Sequence, residues 1–112
     1  MSVIMLTLLG TRAAQAQEFT ATHYGESYNG SPLGCSGYGV YSSSDTTIAA
    51  VGYPYTAAWP CGTVLVLEGP AGTLTVVRQD TCPGCGAGLI DLSESGIIQV
   101  CGSLGSCTVR VR

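Results

Sequence analysis

Arg78-Gln79-Asp80-Thr81-Cys82-Pro83-Gly84-Cys85-Gly86-Ala87-Gly88-Leu89-Ile90-Asp91-Leu92-Ser93 is the stretch on which the fold turns. The apolar, β-branched run Leu74 to Val77 leads into it and predicts a buried strand ending near Asp80. A turn rich in Pro and Gly follows, carrying Cys82 and Cys85. The chain returns as Leu89-Ile90, presents a second acid at Asp91, and enters Ser93-Glu94, the start signal of a helix. Two carboxylates thus stand at the ends of apolar segments joined by a pinched loop, which suits a rigid scaffold offering acids to a cleft.

Working outward, the preceding segments Thr63 to Leu67 and Thr73 to Val77 predict two strands. The turn Gly69-Pro70-Ala71-Gly72 between them is a hairpin signal. Thr46 to Val51 predicts another short strand, and Phe19 to Glu26 a strand running into a loop. Asn29 to Ser44 is rich in Gly and Ser, broken by Cys35, Tyr38 and Tyr41; it is too irregular for regular structure and too aromatic for a linker. On the other side of the central stretch, Ser93 to Val100 predicts one short helix, and Thr108 to Arg112 alternates polar and apolar as a closing strand. About six short strands and one helix point to an all-β chain closed as a small barrel.

The composition narrows the function classes. The 112 residues suffice for one domain, and 46% hydrophobic against 10% charged residues excludes a disordered chain. The formal charge is −3, there is no lysine, and residues 17–112 alone carry −4 because Arg12 lies before them. Such a chain has no basic footprint for nucleic acid or anionic lipid. Val3 to Leu9 is a short apolar run, and Ala14-Gln15-Ala16 is an A-x-A cleavage site before Gln17. The expectation is a signal peptide over 1–16 and a secreted or periplasmic domain over 17–112, free of the membrane after cleavage.

Six cysteines in so short a chain suggest a disulfide framework, but six thiols allow fifteen connectivities and the sequence does not choose among them. Cys82-Pro83-Gly84-Cys85 has redox spacing, though a Gly-rich loop follows where that motif wants a helix. Cys82, Cys85, Cys101 and Cys107 could hold zinc, with an unusually long second spacer. The reading preferred here is structural: Cys82 with Cys85, Cys101 with Cys107, and Cys35 with Cys61. The last pair closes the longest loop and so contributes most, about 3 kcal/mol on the chain-entropy model. No metal and no cofactor are expected.

His23 is the single histidine, and no G-x-S-x-G elbow or phosphate loop accompanies it. The carboxylates Asp80, Asp91 and Glu26 remain. Glycosidic bonds are cleaved by carboxyl groups, one protonating the leaving oxygen and a second, where present, activating water or attacking the sugar. An acid beside Leu89, Ile90 and Leu92 is placed for a raised pKa. The structural alternative is that these acids cap turns and helices through backbone N–H groups. Trp59 and the tyrosines suit stacking on sugar rings, and equally suit the core of a small domain.

Three blocks extend this. Thr22-His23-Tyr24-Gly25-Glu26-Ser27-Tyr28-Asn29-Gly30 is similar to A-S-x-Y-G-x-x-F-x-G. Thr47-Ile48-Ala49-Ala50 with Pro60-Cys61-Gly62-Thr63-Val64-Leu65-Val66 is similar to T-A-A … L-P-x-G-T-x-V-x-V. Val76 to Ser93, ending Ile90-Asp91-Leu92-Ser93, is similar to V-x-V-x-D-x-x-P … I-D-L-S. In order and spacing, Thr22 to Arg112 resembles the double-psi β-barrel family of rare lipoprotein A, the expansins and barwin. The resemblance implies a six-stranded double-psi barrel. Gly34-Cys35-Ser36-Gly37-Tyr38-Gly39 also resembles the expansin A-C-G-Y-G, which implies a Cys35–Cys61 bond.

That family contains peptidoglycan lytic transglycosylases, cellulose-cutting endoglucanases, expansins that loosen walls without hydrolysis, and small secreted protease inhibitors. By resemblance Asp91 is the general acid, Asp80 the second aspartate of the cleft, and Thr22 and Tyr24 groove contacts. Glu26 lies near the general-base position of the endoglucanases. Val51 stands where rare lipoprotein A has a histidine, and this sequence holds no counterpart of the expansins' aromatic-rich second domain. The implied partner is a cell-wall polysaccharide, peptidoglycan or a cellulose-like glycan, met by a monomer. The competing expectation is a non-catalytic binding module or protease inhibitor using the Tyr38 to Ser44 and Tyr53 to Trp59 loops, in which the acids are structural.

Overall fold

The structure is a computed structural model that describes residues 17–112. The expected signal segment, residues 1–16, lies outside the described residues. Six strands follow in order: β1 (Gln17–His23), β2 (Ile48–Val51), β3 (Val64–Gly69), β4 (Gly72–Thr81), β5 (Leu89–Leu92) and β6 (Cys107–Val111). One helix, α1 (Glu94–Cys101), lies between β5 and β6. The strands close into a barrel in the order β1-β5-β2-β4-β3-β6. Two of its six seams are parallel, β1 with β5 and β2 with β4, and the other four are antiparallel. Long crossovers must join the parallel partners.

Alternation explains which residues fill the barrel. Phe19 and Ala21 of β1, Ala49 and Val51 of β2, Leu65 and Leu67 of β3, Leu74 and Val76 of β4, Ile90 and Leu92 of β5, and Val109 and Val111 of β6 share one buried cluster. Each pair is separated by one residue, as a period of two requires. Ile97 and Val100 of α1 cap that cluster. The helix starts at Ser93, whose Oγ accepts from the Gly96 N–H at 3.1 Å, and stops at Gly102 in the left-handed region at φ 88°.

The observed elements depart from the expected ones mainly at their ends. β4 starts at Gly72 and runs ten residues, through Asp80 to Thr81, because β2 and β3 supply partners well beyond the apolar run. Short 3₁₀ turns at Glu26–Tyr28 and Tyr53–Tyr55 were not anticipated. The irregular segment Asn29–Ser44 is irregular as expected, with a lone Pro32–Val40 bridge, yet it is packed. Its Leu33 and Tyr41 bury a second, smaller core against the outer side chain of Ile48.

All six cysteines are paired as expected: Cys35–Cys61, Cys82–Cys85 and Cys101–Cys107, with Cα separations of 5.7, 5.4 and 5.6 Å. Cys82–Cys85 closes a turn between strands, not the start of a helix. Among the described residues no helix is long and apolar enough to cross a membrane.

Candidate functional site

The site begins with a β-bulge. Ala49 of β2 pairs with Arg78 of β4, but Ala50 pairs with Asp80, so Gln79 is the extra residue. Strict alternation from Leu74 and Val76 would aim Asp80 into the barrel. One inserted residue turns it onto the outer face, beside Ala50. The bulge is held on both sides: the Gln79 carbonyl accepts from the Cys35 N–H at 3.0 Å, and its Nε2 donates to the Thr47 carbonyl at 3.1 Å.

The neighbouring registers extend that row. Ala50 also pairs with Asp91 of β5, and Asp91 pairs with Thr22 of β1. Asp80, Ala50, Asp91 and Thr22 therefore stand side by side across four strands, sharing one face. The two acid backbones are two strand spacings apart, about 9.5 Å. Ala50 between them is small enough to leave a groove of about 260 Å³, walled by Tyr24, Tyr28, Pro32 and Pro83.

The two acids differ in their surroundings. Both oxygens of Asp80 are taken: Oδ1 accepts from the Gly34 N–H at 2.6 Å and the Thr81 N–H at 2.9 Å, and Oδ2 from the Tyr24 hydroxyl at 3.2 Å. Gly34 must lack a side chain, because a Cβ there would lie 2.8 Å from Asp80 Oδ1. Asp91 is half-buried and accepts one hydrogen bond, from Thr22 Oγ1 at 2.8 Å. Burial pushes its carboxyl above the usual carboxylate range; the Thr22 bond and His23 pull it down, and Asp80 adds to the rise.

Tyr24 bridges the row. Its hydroxyl reaches Asp80 from the far end of β1, its ring stacks on Tyr41 with centroids 4.0 Å apart, and its carbonyl accepts from the Tyr41 hydroxyl. Burial, then the charge and hydrogen bond of Asp80, raise the Tyr24 phenol well above the ordinary range, so it stays a neutral donor. Arg78 is buried beneath the groove. It donates to the Asp80 carbonyl at 3.1 Å, to Thr81 Oγ1 at 2.6 Å and to Cys61 Sγ at 3.1 Å, fixing the turn without presenting charge to solvent.

Of the residues named from sequence, Asp80, Asp91, Thr22 and Tyr24 come together. Glu26 does not join them: it is exposed in the first 3₁₀ turn, and its N–H donates to Glu94 Oε2 at 3.2 Å. Trp59 is elsewhere too, stacked on Tyr55 at 4.7 Å and against Phe19 at 5.6 Å, where it packs on the barrel core. Tyr41, offered as part of a contact loop, is 1% exposed and supports Tyr24 from behind. Sequence reasoning missed the roles of Ala50, Gly34 and Gln79. Ala50 had a signal in its paired alanines; Gly34 and Gln79 act through partners distant in the chain.

No family model matches this chain, and no curated protein does. Among solved structures it is similar to the apo expansin of Clavibacter michiganensis, with a TM-score of 0.69 and 32% identity over 87% of this chain and 49% of that one. A variant of the same expansin, in complex with cellohexaose, matches with a TM-score of 0.69 and 31% identity over the same shares. The Streptomyces papain inhibitor (TM-score 0.61, 19% identity, 88% of this chain and 94% of that one) shares the fold. So does the fungal elicitor cerato-platanin (TM-score 0.56, 17% identity, 83% and 92%). The chain spans about half the length of the expansin it matches. Its structure is an expansin-like, six-stranded, disulfide-linked barrel.

Proposed function

We propose that this chain is a secreted domain acting on cell-wall polysaccharide, with the Asp80–Ala50–Asp91–Thr22 row as its glycan groove and Asp91 as the proton donor. The observation that carries the reading is the contrast between the two acids. Asp91 is half-buried with a raised pKa, as a general acid needs to hold its proton near the working pH. Asp80 has both oxygens committed to Gly34, Thr81 and Tyr24, so it orients the groove and is a poor candidate for attacking a sugar or activating water. That division favours one-acid chemistry, of the lytic-transglycosylase or expansin kind, over a two-carboxylate hydrolase.

The cellohexaose complex of the Clavibacter expansin supports a β-linked glucan as ligand, and the blocks similar to rare lipoprotein A support peptidoglycan as the second candidate. Three disulfides and the A-x-A site before Gln17 support export to an oxidising compartment. In the mechanism, the glycan lies along the row and Asp91 gives its proton to the bridging oxygen as the C1–O bond breaks. The sugar's own C6 hydroxyl closes on C1 to form the anhydro ring and returns its proton to the Asp91 carboxylate, which Thr22 holds through Oδ1. Tyr24, its own proton engaged by Asp80, accepts from a sugar hydroxyl.

The test incubates residues 17–112, and the Asp91→Asn variant, with purified peptidoglycan and with amorphous cellulose, and identifies products by mass spectrometry. Anhydro-sugar ends that vanish in the variant mark transglycosylation. New reducing ends mark hydrolysis. Intact glycan that stays bound marks expansin-like action without cleavage, and neither binding nor product from either glycan overturns the reading in favour of a protein-binding module on the same barrel.

A further inference from the structure

Tyr28 leaves 53% of its surface exposed, on the rim of the groove. Its backbone is nonetheless pinned. The Tyr28 N–H donates to the Gly25 carbonyl at 3.1 Å and its carbonyl accepts from the Ser31 N–H at 2.9 Å. The adjacent Asn29 accepts from the Ser43 N–H at 2.7 Å and donates to Ser43 Oγ at 3.2 Å. An aromatic ring carried on a backbone already ordered loses little freedom on meeting a ligand.

The ring also stands in a series. Tyr28 is edge-on to Tyr24, with centroids 6.1 Å apart, and Tyr24 is stacked on Tyr41. Exposure rises along it, from Tyr41 at 1% through half-buried Tyr24 to Tyr28. Packing in the second, smaller core outside the barrel accounts for the inner two rings and leaves the outer one half-covered. The other exposed tyrosines differ. The Tyr38 hydroxyl rests against Gly62, where a Cβ would come within 2.5 Å of it, and Tyr53, 64% exposed, does not line the groove.

A pyranose whose substituents are all equatorial has an apolar C–H face and a polar hydroxyl edge. The groove offers both kinds of surface: Asp80, Asp91 and the Tyr24 hydroxyl are polar, and Tyr28 with Pro32 and Pro83 is apolar. We propose that Tyr28 is a sugar-stacking residue of this groove, taking the C–H face of an all-equatorial, β-1,4-linked pyranose whose hydroxyl edge meets the acids. The assignment rests on the glycan reading above and narrows it to glucose-configured chains.

The experiment is calorimetric titration of residues 17–112 with cellohexaose and with mannohexaose, whose 2-hydroxyls are axial. Tyr28→Ala should weaken cellohexaose binding about fivefold. Tyr28→Phe should stay within about twofold of the parent, because the ring face survives, and Tyr53→Ala should not change binding. The parent should prefer cellohexaose to mannohexaose, and Tyr28→Ala should narrow that preference. Thermal melts show that each variant is folded. Parent-like binding by folded Tyr28→Ala overturns the stacking role, as does an equal loss in Tyr53→Ala or in Tyr28→Phe. Equal affinity for the two hexamers overturns the selection for an all-equatorial ring. A parent that binds neither hexamer nor peptidoglycan overturns the glycan reading and the assignment together.

Discussion

At the scale of single residues, Asp91 carries the sharpest prediction, because activity and stability should move in opposite directions. Its raised pKa means the folded protein holds this proton more tightly than the unfolded chain does. The contribution to stability is therefore complete below the unfolded carboxylate pKa and is lost as pH rises through the higher folded value, where a half-buried charge must form. Asp91→Asn should abolish glycan cleavage while leaving the barrel at least as stable as the parent at neutral pH. The advantage should disappear in acid. Product analysis together with thermal melts from about pH 3 to 8 checks this, and a variant that loses stability at neutral pH would favour a structural acid. Any cleavage should fall as pH rises through the Asp91 pKa, since the proton donor is then spent.

Asp80 shows how a residue legible in sequence can change its part in the structure. Its position in the V-x-V-x-D block was readable, but its occupation by Gly34, Thr81 and Tyr24 was not, since two of those partners lie 46 and 56 positions away. The expectation that acids cap backbone N–H groups holds for Asp80 and not for Asp91. Gly34→Ala tests the occupation directly: a Cβ 2.8 Å from Oδ1 must displace the carboxylate and with it the Tyr24 hydroxyl. Glycan affinity should drop while the melting temperature shifts little, because Gly34 lies on an exposed loop and not in the barrel core.

At the scale of elements, short strands depend on pairing for their ends, and α1 depends on its caps. Replacing Ser93 by Ala removes the acceptor for the Gly96 N–H at a buried helix start, and should cost about 1 kcal/mol in urea unfolding. The loss should extend to the groove wall, since the Ser95 N–H in the first turn of α1 donates to the Ser43 carbonyl at 3.0 Å. Faster hydrogen exchange at the Asn29 and Tyr41 amides in that variant would report it. The β2–β4 bulge is the other decisive element. Without Gln79 as the extra residue, Asp80 would face the barrel and the row of four would not exist.

For the whole molecule, the disulfides should rank by the chain they close. Cys35–Cys61 spans 26 positions, Cys101–Cys107 six and Cys82–Cys85 three. Replacing Cys35 and Cys61 by Ser should cost about 3 kcal/mol, and the shorter pairs less. The first replacement should also impair the groove, because Cys35 anchors the Gly34 and Gln79 contacts that hold Asp80. Denaturant titrations of the three double variants, with glycan binding measured on each, check both the order and the linkage.

The sequence by itself determined what local chemistry can specify. Alternating apolar residues marked the strands, Ser93 marked the start of the helix, and the turn residues located the loops that the cysteines close. The I-D-L-S block marked Asp91 by its resemblance to a family motif, and the apolar Leu89, Ile90 and Leu92 beside it marked the acid for a raised pKa. Only the tertiary structure decided how those pieces make a site. Barrel closure brings β4, β2, β5 and β1 side by side, so residues from Thr22 to Asp91 become neighbours across registers that no local pattern encodes. A single bulged residue then sets which face Asp80 takes, and hydrogen bonding separates the two half-buried acids, Asp80 held by Gly34, Thr81 and Tyr24 and Asp91 by Thr22 alone. Register, bulges and desolvation are properties of chains in contact, and they exist only after the strands have met.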